Sequence, residues 1–199
     1  MKSNVCKIEN GIQDLEAILK ESEKVAVYNE LNHKQTLQLR LLCEEMDGML
    51  PKIISGFDGD FWIEFENGVC KVNASIEIDR FTAEKKKELV AVSKNKKNAA
   101  VSGIGGRIRS VLEDMFLDED VVRNYDISMN SFNFANSFAV GTNYSYMWSL
   151  GQYKNGVDKE EKAEDWDELE KSVIASVADD VVVGVKGRRA DIVIIKKFA

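Results

Sequence analysis

The sequence predicts an α+β fold, a two-layer sandwich of a mainly antiparallel sheet with helices on one face. Two hairpins and one long helix predict it. Asn67-Gly68 is the preferred pair for a type I′ turn, because both positions take positive φ. Around it, alternation sets Phe61, Ile63 and Phe65 opposite Ala74, Val72 and Cys70 on one face. The other face receives Trp62 with Asn73 and Glu64 with Lys71, so pattern and turn select the same register. Near the end of the chain, Gly187-Arg188 suits a II′-type turn that pairs Val181, Val183 and Val185 with Ile194, Ile192 and Ala190. Val182 opposite Val193 makes the second face apolar too, so this hairpin is the more deeply covered.

The helix runs through Gln35–Leu50. Leu39, Leu42, Cys43, Met46, Met49 and Leu50 recur at helical spacing along one face. Leu37, Leu41, Glu44 and Gly48 form a second line on roughly the opposite side, which predicts a helix sandwiched between layers. Glu44 then lies in a half-buried line, where an ionised carboxylate needs a partner or a task. Asn32 and Gln35 form a capping pair, and Pro51 disfavours continuing the helix past Leu50.

The remaining elements follow in chain order. Ile8, Ile12, Leu15, Ile18 and Leu19 predict an amphipathic helix over 8–24, and Val25–Tyr28 leaves room for a short edge strand. Thr82 opens a helical stretch to Val92. Between Glu84 and Arg109 the charge turns basic: eight cations, Lys96, Lys97 and Arg107 among them, face only Glu84 and Glu88. Gly103, Gly105 and Gly106 lie directly before a helical run of Ile108, Val111, Leu112, Met115 and Phe116. Glycines opening a helix leave backbone N–H groups for an anion; a loop with a solvated lysine face has the same composition. Residues 118–157 are polar and aromatic, too long for a plain loop, and predict an ordered excursion with aromatic packing. The acidic run Asp158–Glu170 leads into a helix carrying Trp166, Leu169, Val173, Ile174 and Val177.

At 199 residues the chain reads as a single domain over 1–199 with that excursion at about 118–157. A net charge of −7 and a pI near 5.0 argue against nucleic acid as a partner. No run of apolar residues is long enough to span a membrane, and the first residues lack the apolar core of a secretory signal. Cys6, Cys43 and Cys70 have no metal-ligand spacing and read as reduced thiols, so the expected location is cytoplasmic. The lone histidine, His33, reads as a solvated residue near a helix start.

Taken together, a helix with an inward Glu, a hairpin, a basic glycine-bearing segment, a helix and a closing hairpin resemble the GHKL (Bergerat, histidine-kinase-like) ATPase fold. The anti-sigma-factor serine kinase type is the nearest likeness. Glu44 in LRLLCEEMDGML stands where that family carries the glutamate that acts as general base, and Asp79 where it carries the nucleotide-binding aspartate. The resemblance implies a cofactor-binding set of Asp79, Gly103, Gly105, Gly106, Arg107, Lys96 and Lys97, with ATP and Mg²⁺ as the cofactors. The signature residues are degenerate. The family's metal-binding asparagine belongs four residues after the glutamate, where Gly48 stands, and Asp47 points about 100° away. Asp79 is followed by Arg80-Phe81-Thr82-Ala83, without the glycines of an adenine-binding D-x-G-x-G. The expected function is therefore regulatory. The domain acts by protein–protein binding, with a second copy of the chain among the candidate partners and nucleotide turnover lost. The alternative is an ATP-binding, serine-kinase-like regulator with Glu44 as general base.

Overall fold

The computed structural model describes residues 1–9, 15–54, 56–78, 103–117, 146–156 and 172–198. The elements are β1 (Cys6–Glu9), α1 (Leu15–Tyr28), α2 (His33–Ile53), β2 (Phe57–Glu66) and β3 (Val69–Ile78). They continue with α3 (Gly103–Leu117), β4 (Tyr146–Ser149), α4 (Leu150–Gly156), α5 (Val173–Val177), β5 (Asp180–Lys186) and β6 (Arg189–Lys197). Among the described residues the strands form one sheet in the order β1-β2-β3-β6-β5-β4, every neighbouring pair antiparallel. Two sequence-local hairpins, β2–β3 and β5–β6, are joined through the β3–β6 pair. The result is the predicted α+β sandwich.

Both hairpins adopt the register read from the pattern. Phe61 faces Ala74, Ile63 faces Val72 and Phe65 faces Cys70. Asn67 and Gly68 have φ of 50° and 75°, the two left-handed residues that a type I′ turn requires. In the second hairpin Val181, Val183 and Val185 face Ile194, Ile192 and Ala190, and Gly187 supplies the positive φ at 60°. The inward residues of both hairpins are buried against α1, α2, α3 and α5 in one core. Fully burying a side chain such as Phe61 or Ile63 stabilises the fold by about 1.5–3 kcal/mol.

The first 28 residues depart from the pattern reading. Ile8 belongs to strand β1, where it lies opposite Gly59, and not to a helix over 8–24. Ile12 lies outside the described residues. Val25–Tyr28 is the last turn of α1, not an edge strand. Valine favours strands by propensity, but Val25 is two turns beyond Ile18 on the same helix face, and both are buried in the core. The edge of the sheet is instead β1. The stretch before it pairs with β2 as well, with the Ser3 amide donating to Ile63 O at 2.8 Å and the Phe65 amide donating to Met1 O at 2.8 Å.

Helix α2 has the predicted capping box. The Gln35 amide donates to Asn32 Oδ1 at 3.0 Å, and the Asn32 amide donates to Gln35 Oε1 at 2.9 Å. It runs to Ile53, past the expected stop at Leu50, with Pro51 in its last turn. Proline there removes one bond near the helix end, and Ile54 closes the end by donating to Leu50 O at 3.0 Å. The helix lies on the sheet and is not sandwiched. Its Leu39, Leu42, Cys43 and Met46 face is buried, whereas Leu37 and Gly48 are exposed.

The far face of the sheet is polar toward β1 and β2, where Lys7 meets Asp60 at 2.6 Å and Lys2 stacks over Trp62. Toward β5 and β6 it carries a second small apolar cluster of Val182, Val193 and Ile195, joined by Val69 and Met147. This is the doubly apolar hairpin the sequence predicts. Of the predicted aromatic excursion, 118–145 lies outside the described residues, and its end forms β4 and α4. The Thr82–Val92 helix, the acidic run Asp158–Glu170 and Trp166 and Leu169 lie outside them as well, while Val173, Ile174 and Val177 fall in α5.

Candidate functional site

Helix α2 carries the chemistry-bearing side chains of the predicted site. Glu44 accepts from Arg40 Nε at 3.0 Å, an i,i+4 ion pair along the helix, and its side chain is 37% exposed. Arg40 reaches Glu23 on α1 as well, at 3.6 Å. The Glu44 carboxylate is thus committed to a surface network that ties α1 to α2. One turn on, Gly48 is exposed, and a Cβ added there would meet nothing within 4 Å. Neither packing nor backbone demands glycine at that position.

The carboxylate that does enter the interior is Asp47, 4% exposed. Burial holds its carboxyl above the ordinary range. Asp47 follows Glu44 by three residues, about 300° around the helix, or roughly 60° short of a full turn. Because α2 offers the sheet only one face, that offset places Asp47 in the buried face and leaves Glu44 at its rim. Glu44 is half-buried and has a specific partner, as the pattern expects, while the fully buried carboxylate beside it is one the pattern did not single out.

The glycine-bearing segment is α3 itself. Gly103 is its first residue, and Gly105, Gly106 and Arg107 continue its first turns, so the glycines sit inside the helix and not ahead of it. A Cβ on Gly105 would come within 3.5 Å of Met49 Cγ, so this glycine lets α3 approach α2 closely. Met49 and Glu44 are five residues apart, roughly 140° around the helix axis. The helix start and the Glu44 carboxylate therefore stand on different flanks of α2 and do not converge. Asp79, Lys96 and Lys97 lie outside the described residues.

A cluster that pattern reading did not assemble forms where α3 meets β4 and α4. The Arg107 guanidinium lies over the Tyr153 ring, with Cζ 4.6 Å from the centroid, and Trp148 packs against the same ring at 6.1 Å. Arg107 Nε and Trp148 Nε1 are both shielded from solvent and meet no acceptor. The sequence signals were there separately, as a basic residue after the glycines and as aromatics taken for core packing. Nothing local joins residues 107, 148 and 153. Beside them Asp180 is buried, accepting from the Gly151 amide at 2.8 Å, the Val181 amide at 2.7 Å and the Ser149 hydroxyl at 3.0 Å. That arrangement fastens the β4–α4 junction to the start of β5.

The cysteines are thiols. Cys43 and Cys70 are buried in the core, and among the described residues no group of His, Cys, Asp or Glu could hold a metal ion. Burial pushes the Cys43 thiol well above its usual value and the Cys70 thiol up to about 12. His33 is exposed in the first turn of α2. No helix among the described residues is long and apolar enough to cross a membrane. No family model matches the chain, and neither a curated protein nor a solved structure does so.

Proposed function

We propose that this chain is a cytosolic regulatory domain that works by binding another protein, on a scaffold resembling the GHKL ATPases of the anti-sigma serine kinase type and without nucleotide turnover. The observation that carries the reading is the surface at the turn between α1 and α2. Val27 is 79% exposed, Tyr28 72% and Leu37 51%, at the end of one helix and the second turn of the next. Met1, also exposed, joins this corner, accepting at Sδ from Asn29 Nδ2 at 3.5 Å. Single exposed apolar residues are ordinary, but a group of them at one corner suits a protein contact. The state of α2 agrees. Glu44 is engaged by Arg40, and Gly48 brings no oxygen or nitrogen to a metal where the family's asparagine would stand.

The element order supports the scaffold reading, since α2, the β2–β3 hairpin, α3 and the closing β5–β6 hairpin follow the sequence on which the resemblance rests. A titration with Mg-ATP and Mg-ADP, followed by thermal shift and calorimetry, tests the loss of nucleotide binding. A ligand that binds only the folded state must raise the melting temperature. We expect no shift. A 1:1 complex of micromolar affinity would overturn the reading in favour of an ATP-binding regulator with Glu44 as general base.

A further inference from the structure

We propose that Arg107, Tyr153 and Trp148 form an oxyanion-binding site at the junction of α3, β4 and α4, one that takes a phosphate or carboxylate group. The inference is independent of the protein-binding reading and of the α1–α2 corner. It begins with a cation in an unusual position. The chain carries 34 acidic residues against 27 basic ones, so an arginine has many carboxylates to pair with. Among the described residues Arg107 pairs with none, and its contact is the face of Tyr153 at 4.6 Å. The ring stabilises the guanidinium charge from one side. It does not accept the in-plane N–H bonds, and Nε is left shielded from water with no acceptor.

A second donor in the same state stands against the same ring. Trp148 packs on Tyr153 with centroids 6.1 Å apart and planes tilted by 48°, and its buried Nε1 has no acceptor. Folded proteins leave few buried donors unmatched, and each one asks for a partner. The carboxylate that reaches this junction among the described residues is already used. Asp180 accepts from Ser149, Gly151 and Val181, with distances of 2.7–3.2 Å, and is bound into the backbone of the junction. What the two donors lack is an acceptor, and the guanidinium adds a positive charge held over the Tyr153 ring. Guanidinium forks match the geometry of carboxylate and phosphate oxygens, and hydrogen bonds to a charged acceptor are the strong ones. The class of ligand follows: an anionic oxygen group.

The test reads the donor itself. Uniformly ¹⁵N-labelled protein shows one indole N–H signal for each of Trp62, Trp148 and Trp166, and Trp148→Phe assigns the relevant one. Inorganic phosphate and, in a second arm, acetate are titrated at constant ionic strength against chloride. The expected result is a saturable downfield movement of the Trp148 signal in at least one arm, with Trp62 unmoved, and the tighter arm names the group. Arg107→Gln should weaken that binding about tenfold or more, because a hydrogen bond to a charged group is lost. Arg107→Lys, which keeps the charge but not the fork, should recover only part of it. A Trp148 signal that stays still, or moves without saturating in both arms, overturns the site. So does a saturable movement that Arg107→Gln leaves unchanged while the variant's circular dichroism matches the parent's. Should Arg107→Gln fail to fold, the titrations of the parent protein decide alone.

Discussion

Burial raises the Asp47 carboxyl above its ordinary range. The unfolded chain then loses this proton at lower pH than the folded one. The stability tied to protonated Asp47 is complete below the ordinary carboxylate range and is lost as pH rises through the folded value. Asp47→Asn removes that loss, so its stability relative to the parent should climb as pH rises above about 4, the ordinary aspartate value. Glu21 behaves in the opposite sense. Burial alone would raise its carboxyl, but bonds from Lys24 and from the Asn4 amide and side chain together bring it below the usual range. Its contribution is present above the ordinary glutamate range and is lost as pH falls through the folded value. Glu21→Gln should cost about 1–2 kcal/mol at pH 7, with the difference shrinking toward pH 3. Urea denaturation at several pH values checks both variants, and parallel slopes for the two would refute the assignment. The thiols offer a separate check. With its thiol pushed up to about 12, Cys70 has roughly one molecule in ten thousand ionised at pH 8. Cys43 is pushed up as well. A thiol reagent should therefore reach at most Cys6 in the native protein and all three cysteines in urea. Rapid native labelling of two thiols would contradict the buried placement.

At the scale of elements, two glycines of the β2–β3 hairpin do different jobs. Gly68 is the second left-handed residue of the turn, and an added Cβ would stand 3.0 Å from Phe198 O. Gly68→Ala should cost about 1–2 kcal/mol, the penalty of an L residue in that conformation. Gly59 has no such φ. Its place is mid-strand, between Ile8 of β1 and Ile76 of β3, and a Cβ there would come within 2.4 Å of Ser75 O and 2.9 Å of Ile76 Cγ2. Backbone must move to admit it, so Gly59→Ala should cost more than Gly68→Ala, about 3 kcal/mol if the strand yields as overpacked cores do. Denaturation midpoints of the two variants give the ranking. A milder effect at Gly59 would mean that β1 and β3 are not held as closely to β2 as they stand here. The turn glycine was legible from Asn67-Gly68 alone, whereas the mid-strand glycine only acquires its reason when strands from both sides close on it.

For the molecule as a whole, the exposed corner of α1 and α2 separates a binding role from a folding role. Val27→Ser with Leu37→Ser removes apolar area that is already in water, so the melting temperature should stay within about 2 °C of the parent's, as surface substitutions do. If the corner is the contact surface, the same pair of changes should abolish self-association or capture of a purified partner. Sedimentation velocity across a concentration series reads the first. A large drop in melting temperature would show instead that the corner is packed within the fold. The sheet order places this corner away from the β4–α4 junction, because α1 follows β1 at one edge and α4 follows β4 at the other. The two proposed surfaces can thus be disabled one at a time.

Sequence by itself determined what depends on neighbours within a few residues. The registers around Asn67-Gly68 and Gly187-Arg188 follow from a period of two and a turn type, and the Asn32–Gln35 cap from a spacing of three. Those same local signals went astray where a distant surface ruled. Val25 is helical because Ile18 and the sheet take one face of α1, and Ile8 is a strand residue because β2 offers it an edge. Only the tertiary structure decided which carboxylate of α2 is buried. The answer turns on whether the helix has one covered face or two, and the packing partners that settle this come from other parts of the chain. Only it joined Arg107 to Tyr153 and Trp148, over forty residues away, since a shared ring has no signature in spacing. Local geometry is written in short intervals of sequence, while burial and charge pairing depend on which surfaces meet.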